Sequence, residues 1–154
     1  MAPTPGSPSA GALVERLAAA VNAHDLDELV DCFSPEYRNE TPVHPARGFD
    51  GQAQVRRNWE QIFGAVPDMA ADVSWIADEH TAWSEWEMRG MRRDGVPHLM
   101  RGVVIFGVEG DRATWARFYL EPVDLGTGDV NQAVREHLTR TGAGHTAVAT
   151  SGGR

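Results

Sequence analysis

The chain has 154 residues, of which 42% are hydrophobic and 23% charged, and a formal net charge of −8. A chain of this length buries roughly 68–70% of its unfolded surface, enough for one domain with its own core. The acidic balance and the lack of a basic run exclude nucleic acid and anionic membrane surfaces as expected partners, because both are bound through Lys and Arg.

Residues 1–10 are rich in Pro, Ser and Gly. They have neither the basic start of a signal peptide nor the apolar length of a membrane span, so a disordered tail on a cytoplasmic protein is expected. A first helix is predicted from Gly11 to Ala23, with Leu13, Leu17 and Val21 four apart on one face. Asn22 to Asp25 breaks it. Asp25 then suits the N-cap of a shorter helix with the apolar face Leu26, Leu29, Val30 and Phe33, and Glu28 completes the pattern of a capping box. Cys32, the only cysteine, lies in this stretch; it can form no intrachain disulfide and reads as a small buried hydrophobe. Ser34-Pro35 ends the helix.

Glu36 to Glu40 fits a short strand, and Thr41 to Gly48, with two prolines, a loop. A third helix is predicted from Gln52 to Phe63, where Val55, Trp59, Ile62 and Phe63 form an amphipathic stripe. Four strands follow: Met69 to Ala77, Thr81 to Arg89, Pro97 to Val108 and Arg112 to Glu121. Asp94-Gly95 accepts the positive φ of a hairpin turn. Val103 to Phe106 is apolar on both faces, which places its strand centrally. Asp129 is expected to cap a last helix, Val130 to Arg140, with Val130, Val134 and Leu138 in register, and residues 141–154 read as a loose tail. One domain is thus expected over residues 11–124, with an extension over 125–140. Helices followed by one long meander predict an α+β fold, in which a curved antiparallel sheet wraps around the N-terminal helices and leaves a pocket between them.

The local motifs have this order too. Val21 to Asp27 resembles the link between the first two helices of the SnoaL-like branch of the nuclear transport factor 2-like (NTF2-like) superfamily, and Ala65 to Asp68 its entry into the sheet. Trp86 followed by Gly90, and Arg101 to Phe106, are similar to two of its strands. The resemblance covers residues 11–124 and implies a cone-shaped α+β barrel. It also implies a range of functions, since this superfamily holds isomerases, cyclases, dehydratases, epoxide hydrolases and non-catalytic binders. Tyr37 to Pro42, followed by Arg47-Gly48, is similar to a segment of limonene-epoxide hydrolases, which implies that Tyr37 and Asn39 help hold a water. By strand position the arginine of those hydrolases falls on Glu85 and their two aspartates on Glu87 and Phe118. The aspartate of the polyketide cyclases falls on Val104.

Glu85 and Glu87 are two apart on one strand and leave the same face, with Arg89 beside them. Lining an apolar pocket, two carboxylates cannot both ionise cheaply, and one becomes a proton shuttle near neutral pH. The same alternation also fits a solvent face, with Trp86 and Met88 pointing inward. Tyr37 and Asn39 share a face and can orient a water or a carbonyl, or can simply belong to an edge strand. His44 lies in the Pro-rich loop at the expected pocket mouth. No His or Cys spacing suggests zinc, so neither a metal nor a cofactor is expected. Trp59 and Trp86 are expected to reach the cavity. Trp75, Trp83 and Trp115 are expected on an outer sheet face covered by a second copy, giving a homodimer through the sheet.

These readings combine into a cofactor-free enzyme that performs isomerisation, hydration or epoxide opening on a small apolar metabolite. Glu87 serves as acid or base, Glu85 as its partner, and Tyr37 and Asn39 as positioning groups. Trp59, Trp86, Met100, Phe118 and His44 bind the substrate. The alternative is a non-catalytic ligand-binding or dimeric accessory protein, in keeping with Val104 and Phe118 where related enzymes carry acids.

Overall fold

The computed structural model describes residues 9–139. The tails expected at 1–10 and 141–154 lie outside these residues, except for Ser9 and Ala10. The chain divides into two units, one ending at Val123 and one beginning at Asp124.

In the first unit, helix α1 (Ala10–Ala23) begins at Ser9, whose hydroxyl accepts the Ala12 N–H, and ends at His24, which adopts a left-handed conformation (φ 54°). Leu13, Val14, Leu17 and Val21 are buried along one side. The residues after this helix lock it to the sheet. The Asn22 side chain exchanges two hydrogen bonds with the Ala71 backbone, at 2.9 and 2.7 Å, and so acts as a one-residue strand partner on the sheet edge. His24 Nε2 lies 2.8 Å from the Met69 carbonyl, and its ring stacks on Phe63. Helix α2 (Leu26–Asp31) is capped by Asp25, which accepts the Glu28 N–H. The reciprocal half of the capping box is not made, because the Glu28 carboxylate is held by Arg16 at 2.5 Å.

Strand β1 (Phe33–Glu40) starts earlier than expected. Phe33 belongs to it and not to α2, since the chain is already extended before Pro35. A 3-10 turn (Pro45–Arg47) and the two-residue strand β2 (Phe49–Asp50) lead into helix α3 (Gln52–Ala65). The Gln52 side chain donates to the carbonyls of both Val30 and Phe33, tying the start of α3 to the end of α2. The meander follows as β3 (Ala70–Ala77), β4 (Thr81–Met91), β5 (Pro97–Glu109) and β6 (Arg112–Pro122). The β4–β5 turn has Gly95 at φ 84° and docks on the end of α3, where Arg93 donates to the Gly64 and Ala65 carbonyls.

The six strands form one curved, unclosed sheet in the order β2-β1-β6-β5-β4-β3. All pairs are antiparallel except β1 with β6. Register sets the two faces. Val104, Phe106, Ala116, Trp86 and Met88 are buried with α1 in the main core, and Ser84 is buried on the same face of the sheet. Ile76, Trp83, Ile105 and Arg117 form one cross-strand row on the opposite face, where Ile105 is buried and Ile76 and Trp83 are exposed. Trp75 does not join the outer tryptophans. It points toward α1, where its Nε1 donates to Glu15 and its ring occupies the space a Cβ on Gly11 would need.

Cys32 is buried, and its thiol is pushed up from 9.0 to about 12, chiefly by burial, with the Arg16 guanidinium opposing. Between those two values the unfolded thiol ionises and the native one does not. The native state therefore holds the extra proton, and stability falls as pH rises through this window. Burial shifts the Tyr37 hydroxyl in the same direction. The melting temperature is expected to fall from pH 9 to 11, and Cys32→Ala to fall less steeply in a calorimetric pH series. An equal slope in the variant would refute the assignment to this thiol.

The second unit holds a helix over 130–139, with the Asp129 side chain accepting the Gln132 N–H. Val130, Val134 and Leu138 are exposed. Among the described residues no helix is long and apolar enough to cross a membrane.

Candidate functional site

A cavity of about 410 Å³ lies in the first unit, between the inner face of the sheet and α3. This volume falls in the lower part of the range for small-molecule sites. Its helix side is made by Val55, Trp59 and Ile62, which recur along one face of α3 at the spacing read from the sequence. Its sheet side is Met69, Met88, Met100, Phe118 and Leu120. Phe33 and Tyr37 of β1, with Phe49 of β2, close it laterally. Tyr37, Val55 and Met69 are almost fully buried, so they mark the closed end.

Polar groups line the cavity from the buried Tyr37 and Asn39 outward to its exposed rim. The Tyr37 hydroxyl donates to Asn39 Oδ1 at 2.8 Å, and Asn39 Nδ2 approaches the Thr41 hydroxyl at 3.4 Å. Burial pushes the Tyr37 hydroxyl well above its ordinary value, so it stays a donor. Arg47, Asn58, His98 and Glu121 complete the lining. His44, from the loop between β1 and β2, places Nε2 3.0 Å from a Glu121 oxygen, with both side chains about one third exposed. His98 is pushed down, first by burial and then by the Arg92 charge, which keeps more of its imidazole neutral. Mouth and floor thus differ in chemistry. The floor offers mainly dispersion contacts, with the Tyr37 hydroxyl as its polar group, and the rim offers the Glu121 carboxylate backed by His44, the His98 imidazole, a guanidinium and amide donors.

The structure brings together Tyr37, Asn39, Trp59, Met100 and Phe118 around this cavity, and sets His44 against its rim through Glu121. It does not bring Glu85, Glu87 or Trp86 there. Glu85 and Glu87 leave β4 on the face turned away from the helices. That follows from strand alternation, since Trp86 and Met88 between and beside them are buried in the core. Glu87 is held there by Arg101 at 2.8 Å and approached by Arg89 at 3.7 Å, while Arg89 also binds Asp72 at 2.6 Å. This is a solvent-facing charge lattice, not a pair of carboxylates competing for a proton in an apolar pocket. Trp86 packs in the core. Its Nε1 donates to the Ser84 hydroxyl at 2.8 Å, which donates to the Val104 carbonyl at 2.6 Å, so the buried indole needs no ligand to satisfy it.

The sequence does not mark Glu121, Arg47, His98 or Asn58 as site residues, although all four line the cavity. Strand alternation groups Glu121 with Arg117 and Tyr119, yet its place one residue from the end of β6 brings it to the cavity rim. The available signal was His44 in a loop that had to cross a strand end. Among the described residues no group of three His, Cys, Asp or Glu is placed to hold a metal ion.

Comparison with known proteins matches this architecture. No curated protein matches the chain. Solved structures do, at identities that speak for the fold alone. A provisionally assigned ketosteroid isomerase from Kribbella flavida is 18% identical with a TM-score of 0.59, over 77% of this chain and 80% of that one. A provisionally assigned polyketide cyclase from Xanthomonas campestris is 15% identical with a TM-score of 0.61, over 70% and 88%. An NTF2-like protein of unknown function from an Exiguobacterium species is 19% identical with a TM-score of 0.60, over 73% and 98%. The model of the SnoaL-like domain matches residues 14–116, more than half of the sequence, and the chain therefore belongs to the SnoaL-like domain family.

Proposed function

We propose that the protein is a cofactor-free enzyme that moves protons on a small, largely apolar metabolite held in the 410 Å³ cavity. The observation that carries this reading is the His44–Glu121 pair, 3.0 Å apart at the rim of an apolar cavity. A carboxylate in this setting acts as general base and returns the proton as general acid, and the imidazole holds it in place. Glu121 thus takes the role first expected of Glu87. Tyr37 and Asn39 keep the positioning role, since their joined side chains present hydrogen-bonding groups to the cavity. Isomerisation, hydration and epoxide opening all fit this set. The names of two structural neighbours, an isomerase and a cyclase, support the first. The similarity of Tyr37 and Asn39 to the water-holding pair of limonene-epoxide hydrolases supports the last.

The test is a thermal-shift screen of small terpenoids, steroids and polyketides, followed by mass spectrometry of each binder after incubation. A ligand of the native state alone raises apparent stability by about 2.7 kcal/mol at one hundred times its Kd. Conversion of at least one binder is expected. Binders that all come back unchanged would favour the second reading, a non-catalytic ligand-binding or accessory protein. Phe118 in the cavity wall, where related hydrolases carry an acid, supports that second reading.

The proposal includes a homodimer through the outer sheet face and a cytoplasmic location. Ile76 (82% exposed) and Trp83 (59% exposed) are adjacent cross-strand neighbours on that face, and Tyr119 is exposed nearby. They are rimmed by the Glu87–Arg101 and Glu40–Arg117 pairs, whose mixed charge can meet a second copy of itself. Trp83→Glu is expected to give a monomer in analytical ultracentrifugation with the circular dichroism of the native fold. A wild-type monomer at 100 µM (roughly the upper end of a dimer worth keeping, about 5.5 kcal/mol) would end the dimer claim.

A further inference from the structure

Arg47 is an unspent charge. Of the twelve described arginines, eight hold carboxylates: Arg16, Arg38, Arg56, Arg89, Arg92, Arg101, Arg112 and Arg117. Arg57 holds the Gln54 side chain and Arg93 the Gly64 carbonyl. Arg47 and Arg135 have no side-chain partner among the described residues, and of these two Arg47 lines the apolar cavity. The carboxylate in the same lining, Glu121, is engaged by His44. The rim also has donors to spare. Asn58 uses its carbonyl oxygen to accept from Gln54, which leaves its NH₂ group open, and Asn39 commits one N–H toward Thr41. The rim therefore carries an uncommitted cation and surplus donors above a largely apolar floor.

We infer that the ligand of this cavity is an apolar body ending in a carboxylate, which docks on the Arg47 guanidinium while its hydrocarbon fills the floor against Trp59 and Phe118. The planar fork of a guanidinium matches a carboxylate with two parallel hydrogen bonds, which a neutral amide cannot copy. This inference rests on reading the cavity as a small-molecule site and adds the chemical class of what enters it.

Three eight-carbon probes with different head groups test it: octanoate, octanamide and octylamine, titrated calorimetrically at pH 8 below their micelle-forming concentrations. Octanoate is expected to bind about tenfold tighter than octanamide, in line with one charge-assisted contact at an accessible site. Octylamine is expected to bind least. In Arg47→Gln the octanoate-to-octanamide ratio should collapse to about one through loss of octanoate affinity, and Arg47→Lys should keep part of it. Arg38→Gln, an exposed arginine outside the cavity, should leave the ratio as it is. A ratio near one in the wild type, or a ratio that survives in Arg47→Gln, overturns the carboxylate assignment and leaves the cavity reading standing. Binding of none of the three overturns both. Arg47 is exposed on a turn, and unchanged circular dichroism identifies variants that fold.

Discussion

Replacing Glu121 by Gln is expected to cut turnover by about 10²–10⁴-fold without loss of fold, the usual effect of removing a positioned acid or base. The amide has nearly the shape of the carboxylate and can still meet His44 Nε2, so packing at the end of β6 survives. What disappears is basicity. A kcat that falls while ligand affinity holds within a few fold is the signature of a group acting in the transition state. His44→Ala should lose less, since it removes the partner and leaves the base. An unchanged kcat in Glu121→Gln would exclude Glu121 as the proton-transfer group and leave the cavity without a carboxylate to do the work. The same substitution at Glu87 should be silent for turnover, because that side chain points away from the cavity into the Asp72–Arg89–Arg101 lattice.

Gly102→Ala is expected to destabilise the fold by at least about 3 kcal/mol, or roughly 10 °C in Tm. Gly102 lies in β5 between Trp86 of β4 and Leu120 of β6, with φ 156°. A Cβ there would meet the Tyr119 carbonyl oxygen at 2.1 Å and the Leu120 Cα at 2.8 Å. Both atoms are backbone of a paired strand, so neither can swing aside as a side chain would. Gly95→Ala is the control. It also has a positive φ, 84°, but a Cβ there meets nothing within 4 Å, so only local strain of about 1 kcal/mol is expected. Equal losses at the two positions would show that conformation, not strand approach, explains Gly102.

Much of this fold is legible in the sequence because its elements are periodic. Helix α3 and the four meander strands lie within two residues of their predicted limits, and Asp94-Gly95 marks its turn. Contacts that depend on distant partners are not legible. A two-residue strand such as β2 has no period to detect, and nothing local says that β1 runs parallel to β6. Phe33 has the right spacing for the α2 face, yet pairing with Ala113 draws it into the sheet. The candidate site divides in the same way. Tyr37, Asn39, Trp59, Met100 and Phe118 follow from alternation and helical spacing. Alternation on β4 also separates Glu85 and Glu87 from Trp86 and Met88, but a pattern of two faces does not label the inner one. Burial of Trp86 through Ser84 settles that. Glu121 and Arg47 belong to a strand end and a turn, where no period applies.

The contrast between the pinned floor and the open rim bears on how this protein can change its ligand. The floor is built from residues that also carry the core, so any exchange at Tyr37, Val55 or Met69 alters stability as well as fit. The rim is built from the segment between β1 and β2 and from the ends of β5 and β6, which are tied down by a few polar contacts. Substitution there is cheap for the fold. Selectivity is therefore free to drift, by natural variation or in the laboratory, through residues 41–48 and through positions 98 and 121, on a scaffold that keeps the same hydrophobic bed. A library confined to those rim positions should yield folded proteins in most members and new ligand preferences in some, whereas one directed at the floor should yield mainly unfolded chains.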